Sequence, residues 1–114
     1  MAAGVVIDGV RVASWIAPRL RWARRNGWTG RVVSGIRSRA EQQRLYDEWR
    51  RGQRAGPVAR PGTSNHEGTR FPRGAVDVTN GAQLAQVMKR WPGEGQPLVW
   101  FGPGDLPHFS SSGR

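Results

Sequence analysis

The chain has two histidines, His66 and His108, and each stands in a turn-rich stretch rather than on an apolar helical face. Imidazole is the side chain whose proton moves near neutral pH, and its neutral ring is a common ligand for transition metals. Asp77 sits in the middle of the small-residue run from Gly74 to Val78, where an isolated carboxylate would be costly to bury. A cation or a metal beside it removes that cost. Two imidazoles and one carboxylate are a sufficient protein ligand set for catalytic zinc, which keeps a fourth position open for water. Water on such an ion loses a proton near pH 7 and becomes a nucleophile. The 114 residues include no cysteine, which excludes thiolate metal sites, cysteine nucleophiles and disulfides.

The elements that must position these groups follow from spacing. Val10 to Arg25 carries apolar residues near helical period and predicts an amphipathic first helix, with Pro18 marking a break, a kink or a late start near Ala17. Asn26-Gly27 supplies its stop. Arg31 to Ser34 is β-branched and bounded by glycines, as a short buried strand would be. Ser38 followed by Glu41 is a capping box, so a second helix begins near Arg39, runs to about Arg51 and turns Leu45, Tyr46 and Trp49 inward. The stretch from Gly52 to Gly74 has no periodicity, and a loop that long in a small domain is expected to be functional. Ala75 to Val78 predicts a strand, and Asn80 with Gln83 a second capping box opening a third helix with Leu84, Met88 and Trp91 inward. Leu98 to Phe101 predicts a further strand, with a Gly-Pro-Gly turn after it, an extended piece at Pro107 to Phe109 and a polar tail from Ser110 to Arg114.

One domain is what this length allows, and 37% hydrophobic residues provide one thin core. Of the six tryptophans, Trp15, Trp22, Trp49 and Trp91 fall on inward helix faces and read as core, while Trp28 and Trp100 lie near turns and could border a cleft. Eighteen basic against eight acidic residues give a net charge of +10 and a field that draws polyanions. Arg19, Arg21, Arg24 and Arg25 read as a solvated face able to hold the protein near an anionic polymer. Met1 to Val12 lacks the features of a secretory signal, and no segment has the roughly 20 apolar residues of a membrane span. The expectation is synthesis in the cytoplasm with no membrane span, and no dimer seam is apparent, so a monomer is expected.

Four motifs occur in order: SGIRSRAEQ from Ser34 to Gln42, PGTSNHEG from Pro61 to Gly68, GAVDV from Gly74 to Val78, and DLPHF from Asp105 to Phe109. Together they resemble the zinc D-Ala-D-Ala carboxypeptidase family of peptidoglycan peptidases, including its L-alanyl-D-glutamate endopeptidase branch found in phage endolysins. The resemblance spans about Val12 to Phe109. It implies Zn2+ as cofactor with His66, Asp77 and His108 as its ligands, and peptidoglycan stem peptides as substrate. Arg37 is the residue that would hold a substrate oxygen and stabilise the oxyanion, and Ser64 and Gln42 would support the site. The implied fold is a single α+β domain over residues 1–114, with its core at about 10–109: a small antiparallel sheet with packed helices, of the hedgehog and D-Ala-D-Ala metallopeptidase type. Action at the cell wall, with anionic wall polymers as further partners, completes that expectation.

The sequence also departs from the family pattern. Ile36 stands where the family usually has Tyr, and Thr69 to Arg73 lengthen the loop before Asp77, forming either part of a substrate rim or a longer surface loop. Asp105 stands three residues before the last histidine, where the family's general base is normally Glu. It is the first choice for the base although one methylene shorter; Glu67 is the other local carboxylate. Pro107 and Ser110 replace a common Trp and a common acid around His108. Two alternatives stand beside hydrolysis. A catalytically degenerate zinc-binding domain that binds wall or partner would account for the altered base. A basic nucleic-acid-binding module would account for the charge, but not for two histidines and an aspartate in family motifs.

Overall fold

The computed structural model describes residues 4–55, 57–93, 95, 97–102 and 107–113. The described chain forms an α+β unit with three helices and two antiparallel sheets. A hairpin pairs β1 (Gly4–Ile7) with β2 (Val10–Ala13). Its two-residue turn is Asp8-Gly9, both at positive φ (54° and 79°), the left-handed pair whose twist matches that of the strands it joins. The expected helix from Val10 therefore gives way to a strand in its first part. Helix α1 is Ala17–Arg25, with Pro18 in its first turn, where the missing amide hydrogen costs no hydrogen bond.

The main sheet holds β3 (Val32–Ser34), β4 (Ala75–Val78), β5 (Val99–Trp100) and β6 (His108–Ser110) in the order β3-β4-β6-β5. Helix α2 (Arg39–Arg50) begins as its cap predicts, with the Ser38 hydroxyl accepting from the Glu41 amide at 3.0 Å. Helix α3 (Gly81–Met88) begins differently. Asn80 is left-handed (φ 52°) and makes no side-chain cap bond. The Gln83 side chain instead accepts from the Thr29 amide at 2.8 Å, tying α3 to the loop before β3.

Alternation along β4 and β6 gives the sheet two chemically different faces. Val76, Val78 and Phe109 are buried in one apolar cluster with Val32, Leu20 of α1 and Leu84 of α3. Each such side chain contributes about 1.5–3 kcal/mol through burial. Asp77 lies between Val76 and Val78, and His108 next to Phe109, so both point to the opposite face. The register sets them directly across from each other.

Several side chains depart from their expected places. Trp28 is the tryptophan that is fully in the core, whereas Trp15, Trp22, Trp49 and Trp91 are half-buried. Trp22 and Trp91 pack edge to face at 5.4 Å, joining α1 to the segment that follows α3. Arg19 is buried rather than solvated, its guanidinium 5.2 Å from the ring centres of both Trp15 and Trp91. The cationic head is compensated by two π faces and the Trp15 carbonyl. The C-terminal serines are no loose tail. Ser110 belongs to β6 and is fully buried, and the Ser111 hydroxyl donates to the Pro72 carbonyl at 2.6 Å.

Candidate metal centre and substrate cleft

Three elements deliver the three candidate ligands. Asp77 comes from β4 and His108 from its neighbour β6. His66 comes from a single 3-10 turn, Asn65–Glu67, inside the long loop. That turn is closed by a full capping box: the Ser64 hydroxyl accepts from the His66 amide at 3.2 Å, and the Glu67 carboxylate accepts from the Ser64 amide at 3.3 Å. Ser64 thus caps the turn that carries His66. Glu67 also accepts from the Gly62 amide at 2.7 Å, and its side chain is 7% exposed. Its Oε2 is committed to holding the turn, and Glu67 is not among the residues that line the cleft.

The geometry is compatible with a metal-ligand set. The His66 ring approaches the Gly35 carbonyl through Nδ1 at 2.8 Å. A carbonyl only accepts, so Nδ1 carries a hydrogen and Nε2 is the ring atom turned toward the other two side chains. Nε2 lies 3.3 Å from His108 Nδ1 and 3.5 Å from Asp77 Oδ2, while His108 Nδ1 lies 3.3 Å from Asp77 Oδ1. Ligands placed about 2.0 Å from a tetrahedral zinc ion are separated by about 3.3 Å. The ligand atoms all fall within 4.8 Å of one another. Both imidazoles are buried and Asp77 is mostly so. Burial would push the Asp77 carboxyl up, but hydrogen bonds and charge from His108 and His66 in their protonated form outweigh it and hold the group well below the usual carboxylate range. Asp77 is accordingly ionised, as a metal ligand must be.

Arg37 closes one side of this group. Its guanidinium donates to Asp77 Oδ2 at 3.2 Å, to the Ser34 hydroxyl at 3.3 Å and to Gln42 Oε1 at 3.2 Å. The Arg37 amide also donates to the His66 carbonyl at 2.7 Å, so the arginine and the first histidine share a backbone link. Gln42 is 1% exposed and uses both ends of its amide, since Nε2 donates to the Ala59 carbonyl at 2.9 Å. It joins the arginine to the loop that follows α2.

These residues open onto a cleft of about 450 Å3, lined by the triad and Arg37 together with Arg54, Val58 and Phe101 among others. None of residues 69–73 lines it. Of the two readings of that lengthened loop, the substrate rim is not what forms. Arg73 turns back to donate to the Ser64 carbonyl at 2.7 Å, and the Arg73 carbonyl accepts from the Trp15 indole at 2.7 Å. The loop braces the turn that carries His66. Asp105, the first choice for the base, lies outside the described residues.

The spacing of the motifs did not reveal the Gly35 carbonyl, Arg54 or Phe101. For Gly35 a signal exists in retrospect: a Cβ there would meet the Arg11 carbonyl oxygen at 2.2 Å. A glycine ending a β-branched run marks that close approach. Arg54 and Phe101 carry no sequence signal beyond their types.

No protein-family model matches this chain, and neither a curated protein nor a solved structure does. Among the described residues no helix is long and apolar enough to cross a membrane.

Proposed function

We propose that this chain is a zinc-dependent peptidoglycan peptidase, hydrolysing a peptide bond in cell-wall stem peptides on a fold of the hedgehog and D-Ala-D-Ala metallopeptidase type. One observation carries the reading: His66, Asp77 and His108 bring ligand atoms within 4.8 Å of one another, in a cleft that Arg37 also lines. Each of these four residues comes from a different one of the four motifs that carry the resemblance.

His66 through Nε2, His108 through Nδ1 and Asp77 through its carboxylate would hold the ion. Bound zinc supplies Lewis acidity toward a carbonyl oxygen and a hydroxide source at neutral pH. Arg37 receives the oxygen on which negative charge develops, because its guanidinium is fixed in place by three acceptors. Asp105 takes the proton of the attacking water and returns it to the leaving amine. Gln42 and Ser64 position Arg37 and His66 respectively. Endopeptidase cleavage is the favoured form, by analogy with compact phage lysis enzymes.

Native mass spectrometry of protein made with added zinc tests the site, and release of new amino groups from purified peptidoglycan tests the activity. About one zinc per chain in the parent, little in His66→Ala or Asp77→Ala, and hydrolysis by the parent alone are expected. A folded parent without zinc overturns the reading, and zinc without hydrolysis reduces the protein to a binding domain.

A further inference from the structure

Among the described residues, the ionisable groups that line the cleft are Arg37, Arg54, His66, Asp77 and His108, and the proposed hydrolysis gives Arg54 no part. Asp77 supplies the negative charge among them, and it is engaged by Arg37 and both imidazoles. A divalent ion on the triad would add two further positive charges. Arg54 is left as a cation facing the same space.

How Arg54 is held suggests what it does. It follows α2 on the loop that forms a wall of the cleft, and its Nε donates to Glu48 Oε1 at 3.2 Å. The other Glu48 oxygen accepts from Arg44 at 2.8 Å, so one carboxylate is shared between two guanidinium groups. Among the described residues, Nε is the atom of the Arg54 guanidinium that carries a hydrogen bond, and the side chain is 42% exposed. Glu48 therefore orients Arg54 without using its two terminal amino groups. A planar cation fixed at one nitrogen and open at the other two is suited to a carboxylate, which it can grip through parallel hydrogen bonds.

We infer that Arg54 is a second anion-binding point of the cleft, separate from Arg37, and selects peptides bearing a free carboxylate away from the bond that is cut. The inference rests on the peptidase reading. It assigns Arg54 to specificity, and the chemistry remains with the triad, Arg37 and Asp105.

The probe is the peptide L-alanyl-D-isoglutamyl-L-lysyl-D-alanine, compared with the same peptide carrying carboxamides in place of its carboxylates. Cleavage of both is followed with the zinc-loaded protein, and binding of both is measured by calorimetry on protein stripped of metal, where no turnover interferes. The parent is expected to favour the free acid by about tenfold in both kcat/KM and affinity, the scale of one charge-assisted hydrogen-bonded pair. Arg54→Gln is expected to bring that ratio close to one by weakening the free acid alone, with zinc content and Tm unchanged, and Arg54→Lys to restore part of it. Equal handling of the two peptides by the parent overturns the inference, as does an undiminished preference in a folded Arg54→Gln protein. A parent that binds the free acid selectively yet cuts neither peptide nor purified peptidoglycan keeps the anion site and overturns the peptidase reading instead.

Discussion

The two faces of the main sheet are built from adjacent residues and answer to different physics. On one face Val76, Val78 and Phe109 are held by apolar contact, which is indifferent to direction and tolerant of swaps that preserve volume. On the other, Asp77 and His108 stand one residue away and are held by directed bonds at 3.2 to 3.3 Å. Stability and chemistry are therefore separable along a single strand. A substitution that ruins one face need not touch the other.

The sharpest way to break that comparison is to mutate sequence neighbours. His108→Ala is expected to abolish zinc binding and reduce any hydrolysis by at least about a thousandfold, since a metal reaction without its metal retains little of its rate. The native-state population should remain folded, as judged by circular dichroism. Phe109→Ala, one residue on, is expected to cost about 3–5 kcal/mol in urea unfolding. The fraction that stays folded should still bind about one zinc per chain. Loss of stability in the first variant and of zinc affinity in folded molecules of the second would show that the faces are not independent.

Gln42→Ala probes the border between the two regimes. It leaves the Ala59 carbonyl and one Arg37 nitrogen without their partner, at about 1–3 kcal/mol. Hydrolysis should fall further than zinc affinity, because Arg37 is displaced while the ligands are not. Equal loss of both would place Gln42 with the metal rather than with Arg37.

The smallest effect belongs far from the cleft. Asp8 lies in the turn of the β1–β2 hairpin, paired with Arg24 and accepting from the Val32 amide at 2.8 Å. The Arg24 bond, opposed by burial and helped by the Val32 amide, holds its carboxyl below the ordinary value. A carboxyl depressed in the folded state adds stability above its unfolded pKa of about 4, and that contribution fades as pH falls through the folded value. Asp8→Asn should lower stability by about 1 kcal/mol at pH 7 and flatten the acid side of the stability profile below about pH 4. An unchanged acid limb would show that the pair contributes nothing.

The regions that sequence revealed best are those where a local signal and the tertiary fold agree. Ala75 to Val78 is a strand with the expected bounds, and Arg39 opens α2 behind the Ser38 cap. His66, Asp77, His108, Arg37, Gln42 and Ser64, drawn from four separate motifs, all line one cleft. Where the reading failed, two signals competed. Val10 and Val12 fit a strand's period of two as well as a helix, and the Asp8-Gly9 turn before them decides for the strand. Asn80 and Gln83 have the spacing of a cap, but a left-handed Asn80 makes no such bond and Gln83 is taken by Thr29. Arg19 resembled its exposed neighbours because nothing local announces that two tryptophans, four and 72 positions away, will enclose it.

The Gln42 amide meets the loop after α2 at a main-chain oxygen, that of Ala59. Any residue but one that distorts the backbone offers the same oxygen, so this anchor does not read the loop's side chains. The loop can therefore exchange residues such as Arg54 or Val58 while Arg37 and the triad keep their places. In evolutionary terms the cleft has a replaceable wall: under the proposed function, preference for substrate could drift through that segment without passing through variants that have lost the reaction.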